Sequence, residues 1–273
     1  GSEMCIRDSI TAQFDTIIYN VEDASTSSLA IQYPVGSKAL FVHGKMKHGH
    51  WRMRVESALH HPEFAALSIL QDKLRAMGNE AVILGDLFDQ DRHLLIQESI
   101  HESPKLFDIA KQTNTWSVNV FADALMKTML LKSGLTNPQE LVESYARNHG
   151  VHGLRCRIMD GSGLSRSNII SANQMTQLVN HFSQNQANST FQRSLAVLGR
   201  AGTLEELVPQ TSPAVGRVFA KSGGLTGVLS YTGIVQTDRG KWLSFSLIIN
   251  NHISNNANLR LYLDRFFETL IAL

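Results

Sequence analysis

The sequence predicts an α+β fold, and three observations carry that prediction. Apolar residues recur at three- and four-residue steps in several long segments, as on one face of a helix. Between Gly216 and Asn250 the chain breaks instead into short β-branched and aromatic runs separated by glycine-containing turns. The last residues return to a helical stripe, so helices and an antiparallel sheet share one domain.

The elements follow in chain order. Gly1 to Ser9 ("GSEMCIRDS") has neither strand nor helix period, so we set it aside as a remnant foreign to the fold, Cys5 with it. Residues 10–58 are β-rich: "FDTIIYNV", "SLAIQYPV", "KALFVHGKM" and "HWRMRVES" are short runs between Asp, Ser, Pro and Gly breakers, expected to be part of an all-β module. From His61 the period changes. Phe64, Leu67, Leu70, Leu74 and Met77 describe an amphipathic helix stopped by Gly78, so a second domain is expected over residues 59–273. "EAVILGDLF" reads as a short buried strand, residues 103–131 as helices interrupted around "TNTWSVN", and 138–149 and 171–186 as further helices. "GRVFAKS", "GVLSYTGIVQT" and "KWLSFSLIIN" are three strands, the last two joined by the polar turn "TDRGK" into an antiparallel hairpin. In the tail, Leu259, Tyr262, Leu263, Phe266, Phe267, Leu270 and Ile271 form the stripe of a closing helix that packs on that hairpin.

Composition narrows the function classes. With 273 residues, 43% of them hydrophobic, the chain can bury a sizeable core. A net charge of +1 gives no basic footprint for nucleic acid or a membrane surface. Small molecules and peptides remain as ligands. The two cysteines, Cys5 and Cys156, make no metal knuckle and no disulfide framework. No run of about 18 apolar residues is present, nor a charged-then-apolar leader, and the chain is expected to begin inside something longer.

Three segments carry candidate chemistry. In "TNTWSVNVFADAL", Ser117 and Asn119 stand two apart ahead of an apolar run; taken alone they read first as helix caps. In "RIMDGSGLSRSNIIS", glycines and serines form a shaped loop that Asp160 holds through its own side chain. Gly161 and Gly163 lack the third glycine of a dinucleotide fingerprint, and no Gly-Lys-Ser/Thr follows, which argues against a phosphate loop. In "AKSGGLTGVLSYTGIV", Lys221 is either a solvated edge lysine or, with Ser222 and Gly223, the head of a carboxylate-binding strand. His43, His48 and His50 raise a metal reading. A polar strand face explains them better, because no carboxylate or cysteine completes a ligand set.

"SVN", "DGSGLSR", "SLAVLGRAGTL" and "AKSGGLTGVLSYTGIV", in that order, resemble the class C low-molecular-mass penicillin-binding proteins, the D-alanyl-D-alanine carboxypeptidases and endopeptidases of the peptidase S13 type. The resemblance runs from about residue 60 to the end. It implies a transpeptidase-like domain, an antiparallel sheet flanked by helices with a helical subdomain, preceded by part of an inserted β-rich accessory domain. Penicillin-binding serine enzymes use S-x-x-K, S-x-N and K-T/S-G. No lysine here has a serine three residues before it, so the S-x-x-K nucleophile motif is absent from these residues.

By this resemblance the ligands are peptidoglycan stem peptides and β-lactams, with no cofactor and an extracytoplasmic location. Lys221 would face the substrate's terminal carboxylate and move protons through the Ser117 hydroxyl. Ser222 would donate to that carboxylate, Gly223 would leave room for a substrate strand, and the Gly224 N–H would supply half of an oxyanion hole. Asn119 would hold the acyl amide. Asp160, Leu164, Ser165 and Arg166 would shape the lower edge of the cleft. Without a nucleophile the chain itself is expected to be nearly inert and reduced in stability. Two alternatives stay open: a module that binds wall peptide without cleaving it, and a β-lactamase or esterase on the same architecture.

Overall fold

The computed structural model describes residues 16–32, 39–49, 62–80, 102–184, 188–253 and 256–273. The chain forms two units, Gly1–Ile100 and His101–Leu273. In the first, β1 (Thr16–Ala24), β2 (Ser28–Gln32) and β3 (Ala39–Lys47) make a sheet in the order β1-β3-β2. β3 is central, parallel to β1 and antiparallel to β2. Leu40 and Val42 alternate inward on it. α1 (Pro62–Ala76) ends at Gly78, whose φ of 83° is the left-handed stop expected there. Among its described side chains the expected apolar stripe is mostly turned to solvent: Leu67, Leu70 and Met77 are exposed and Leu74 is half-buried, while Ala65 beside it is buried. The period set the helix, and burial depends on neighbours that the period does not encode. His48 also departs from expectation. It lies in the turn after β3, beside Asp23 at 3.7 Å, and not on a strand face. His50, "HWRMRVES", "EAVILGDLF" and Gly1 to Ser9 lie outside the described residues.

The second unit holds α2 (Leu106–Trp116), α3 (Asn119–Ser133), α4 (Pro138–Asn148), α5 (Ala172–Gln184) and the short α6 (Asn188–Ser194), which sequence periodicity did not reveal. They precede a sheet of β4 (Ala196–Val197), β5 (Val218–Leu225), β6 (Val228–Gln236) and β7 (Trp242–Asn250), antiparallel throughout in the order β4-β5-β6-β7. β5 runs on through Gly223 and Gly224, so the expected break at these glycines is absent. The turn falls at Thr226 and Gly227, because pairing with β6 holds the backbone as far as Leu225.

Alternation along the strands gives the sheet two faces. Val218, Ala220, Tyr231, Val235 and Phe245 point toward α7 (Asn256–Ala272), meeting Leu263, Phe267 and Ile271 in one core. Phe267, fully buried, stands edge-on to Tyr231 and Phe245 with centroids 6.2 and 5.8 Å away. The tail stripe is narrower than expected. Leu259, Leu263, Phe267 and Ile271 recur every fourth residue and are buried, while Tyr262 is turned to solvent. On the opposite face Ser244 meets Ser183 of α5 at 3.3 Å, and Thr232 and Ser246 share a 2.8 Å hydroxyl contact. Lys221 belongs to this second face, opposite Thr232.

Phe267→Ala should lower the unfolding free energy by about 3–5 kcal/mol, measured by urea denaturation. A loss under about 1 kcal/mol would mean that α7 does not close this core.

Candidate active site

The site starts from a helix junction. α2 ends at Ser117, which has φ 60° and ψ 45°, the left-handed conformation that costs a non-glycine residue about 1–2 kcal/mol. Val118 then turns extended as the N-cap residue of α3. Ser117 is therefore not the N-cap its position before an apolar run suggested. Its Oγ is instead met by the Lys221 ammonium, which donates to it at 2.7 Å across 104 residues of sequence. The same ammonium donates to the Ser222 carbonyl. Two of its three protons are thus used, leaving one for a ligand.

Lys221 is half-buried, and loss of water pushes its pKa below the usual lysine value of 10.5. A lysine so placed gives up its proton more readily and can exchange it with the Ser117 hydroxyl. The next residue extends the polar cluster: Ser222 Oγ donates to Thr203 Oγ1 at 2.7 Å. Thr203 lies in a single 3-10 turn, Gly202–Leu204. A Cβ on Gly202 would run into the Thr115 carbonyl oxygen, so only glycine lets this turn close on the end of α2. Thr115 Oγ1 donates to the Ser194 carbonyl at 2.8 Å and Asn114 Nδ2 to Ser194 Oγ at 2.9 Å, fixing the same helix end from the other side.

β5 has an open edge here. β4 pairs only with Phe219 and Ala220, so on that side Lys221 to Leu225 have no strand neighbour among the described residues. Gly223 is half-buried with Ser230 Oγ against the space its Cβ would take, and Gly224 is exposed with open space around it. An extended peptide can add to such an edge through main-chain hydrogen bonds.

Asn119 is the first residue of α3 and exposed, two residues from Ser117. The "DGSGLSR" loop is carried by α3. Gly161 N–H and Ser162 N–H both donate to Asp123 Oδ1 at 2.9 Å, and a Cβ on Gly161 would strike the Ala122 carbonyl. Asp160 organises the loop itself, accepting from Gly163 N–H and Ser165 N–H at 2.7 Å and from Asn168 Nδ2 at 2.8 Å. Partial burial pushes the Asp160 pKa up, but the bonds from Asn168, Ser165, Gly163 and Leu164 outweigh it and hold the carboxyl below its ordinary value. Leu164 and Arg166 stand exposed on the loop. The structure thus joins Ser117, Lys221 and Ser222 in one hydrogen-bonded cluster, with Asn119 beside it. Among the described residues, the bonds of the Asp160 loop run to α3 and within itself, not to β5.

Thr203 and Asp123 received no role from the sequence. Thr203 lies inside "SLAVLGRAGTL", a segment that carried the resemblance, yet an exposed threonine in a short turn has no periodicity to single it out. Asp123 is one acid in an apolar run, and its partners lie 38 and 39 residues away. Among the described residues no group of three His, Cys, Asp or Glu is placed to hold a metal, and no helix is long and apolar enough to cross a membrane.

The lowered pKa sets a pH dependence with a definite sign. Between the folded-state pKa and 10.5 the unfolded chain binds more protons at Lys221 than the folded one, so stability rises with pH through that window. Below the window the protonated, half-buried lysine carries its full desolvation cost. The stability of the wild type relative to Lys221→Met should therefore increase from pH 7 to pH 10.5, followed by thermal unfolding of both proteins. A pH-independent difference would mean that Lys221 is not desolvated.

A family model described as D-Ala-D-Ala carboxypeptidase 3 (S13) matches residues 3–269. The D-alanyl-D-alanine carboxypeptidase DacB of Haemophilus influenzae is 27% identical over 203 residues, 71% of this chain and 42% of that protein. A D-alanyl-D-alanine carboxypeptidase of an Actinomadura species is 26% identical over 261 residues, 88% of this chain and 46% of that protein. The chain thus spans less than half the length of these curated relatives. The crystal structure of penicillin binding protein 4 from Haemophilus influenzae in complex with a β-lactam superimposes with a TM-score of 0.76 at 22% identity, covering 96% of this chain and 64% of that one. The fold is that of the penicillin-binding proteins, and with a family model matched over almost its full length, the chain belongs to the S13 family of D-Ala-D-Ala carboxypeptidases.

Proposed function

We propose that this protein serves as a serine-type D-alanyl-D-alanine carboxypeptidase or endopeptidase acting on peptidoglycan stem peptides through an acyl-enzyme. The observation that supports this most is the Lys221 ammonium held on the Ser117 hydroxyl at 2.7 Å, beside an open edge of β5. A peptide ending in D-Ala-D-Ala would add to that edge. Its terminal carboxylate would lie toward Lys221 and Ser222, with Gly223 leaving room and Asn119 holding the acyl amide.

A serine nucleophile, its hydroxyl proton taken up by the lysine of S-x-x-K, would then attack the penultimate carbonyl carbon. The new C–O bond forms, charge on the carbonyl oxygen is met in part by the Gly224 N–H, and the C–N bond breaks. The departing D-alanine needs a proton on its nitrogen, which Ser117 would pass on, drawing on the exchange with Lys221. Water would release the acyl group and restore the serine. Asp160, Leu164, Ser165 and Arg166 would line the lower edge of the cleft. Such a substrate lies outside the cytoplasmic membrane, so the site of action would be periplasmic or otherwise extracytoplasmic.

These 273 residues contain no S-x-x-K, so in this reading the chain by itself binds the peptide without turning it over, and a longer form of the protein supplies the nucleophile. That absence is also what favours the second reading, a module that only binds wall peptide. A fluorescent penicillin separates the two. The chain alone should take no covalent label yet bind a D-Ala-D-Ala peptide saturably, and a longer form carrying S-x-x-K should be labelled on that serine. Covalent labelling of the chain alone would contradict the assignment of the nucleophile. A chain that binds neither peptide nor penicillin would remove the reading of the cleft.

A further inference from the structure

We propose that Thr203 is a ligand-binding residue of the carboxylate site, supplying the outward hydroxyl proton of its hydrogen-bonded pair with Ser222; this rests on reading Ser222 and Lys221 as the anion-binding head of β5. A carboxylate accepts hydrogen bonds and offers none, so it must be met by donors. Ser222 Oγ has one proton, and that proton is directed to Thr203 Oγ1 at 2.7 Å. Hydroxyl protons can be arranged in either order along such a pair. In both orders one hydroxyl donates to the other and the pair keeps a single outward proton. With Ser222 donating, as the geometry has it, the outward proton is on Thr203. The anion then sees a Thr203 hydroxyl backed by Ser222, while the ammonium of Lys221, the preceding residue of β5, keeps one unused proton.

The anchoring of Thr203 suits that task. Its side chain is exposed, while both neighbours in the turn are buried, Gly202 closed on the Thr115 carbonyl and Leu204 at 0% exposure in the core. The turn is held further by Gly199 N–H donating to the Leu204 carbonyl at 3.0 Å and Glu205 N–H to the Gly202 carbonyl at 3.1 Å. An exposed hydroxyl on a turn fixed at both ends loses little freedom when a ligand arrives. Because Gly202 closes on Thr115, two residues before Ser117, the same contact keeps Thr203 in register with the catalytic hydroxyl.

The test compares two probes on the 273-residue chain, an N-acylated peptide ending in D-Ala-D-Ala and the same peptide as its C-terminal amide, each titrated by NMR or calorimetry. The wild type should prefer the acid. Thr203→Val keeps shape and removes the hydroxyl, and should weaken binding of the acid by roughly ten- to a hundredfold, the worth of one hydrogen bond to a charged group, while leaving the amide unchanged. Thr203→Ser should restore the preference. Thr203→Ala repeats the deletion without bulk should the valine disturb the turn. If Thr203→Val and Thr203→Ala both bind the acid as the wild type does while Ser222→Ala loses it, Thr203 is no ligand group and the carboxylate reading stands without it. A wild type indifferent to acid and amide would overturn the carboxylate reading and this inference together.

Discussion

The second unit is organised around an ammonium group taken half out of water. A lysine in that position must find oxygen acceptors, because burial penalises its charged form. Lys221 finds them on Ser117 and on the Ser222 carbonyl. The first of these lies 104 residues earlier in the chain, so the bond exists only when the end of α2 and the middle of β5 are both in place. It also has a cost, since Ser117 reaches the lysine from a left-handed backbone conformation. Strain and a desolvated charge at one point are features that selection for stability alone would remove.

Close backbone approach holds that point together. Gly202 brings the 202–204 turn onto the end of α2, and Gly161 brings the Asp160 loop onto the first turns of α3, each at a spot where a methyl group would collide with a carbonyl oxygen. Asp123 then uses one carboxylate oxygen to collect two loop N–H groups. The two walls are built differently. One is a strand edge left open because β4 is only two residues long; the other is a helix junction with loops fastened to it. The strand edge leaves main-chain groups unpaired by a neighbouring strand among the described residues, and the junction presents side chains.

Much of this was legible in the sequence, for reasons that differ by element. The β6–β7 hairpin was readable because "TDRGK" is a polar, glycine-containing turn between alternating runs, and α7 because its apolar residues keep a helical period. Tyr262 was misplaced, since a stripe wide enough to include it exceeds what the sheet covers. Ser117, Asn119, Lys221 and Ser222 could be picked out because their spacing resembles the motifs of a known family. Neither the left-handed Ser117 nor the Ser222–Thr203 bond could be. The first is a backbone state available to many serines and adopted by few, and the second joins residues 19 apart that no local pattern relates. His48 marks the limit of strand reading, because β3 ends one residue before it.

Ser117 and Lys221 act as one unit in this structure, and a double-mutant cycle measures their coupling directly. Ser117→Ala, Lys221→Met and the double variant would be unfolded in denaturant at pH 7 beside the wild type. A hydrogen bond between a half-buried ammonium and its hydroxyl partner predicts a favourable coupling free energy of about 1–3 kcal/mol. Additive losses, with coupling within about 0.3 kcal/mol of zero, would show that the two side chains do not depend on each other and would contradict the account.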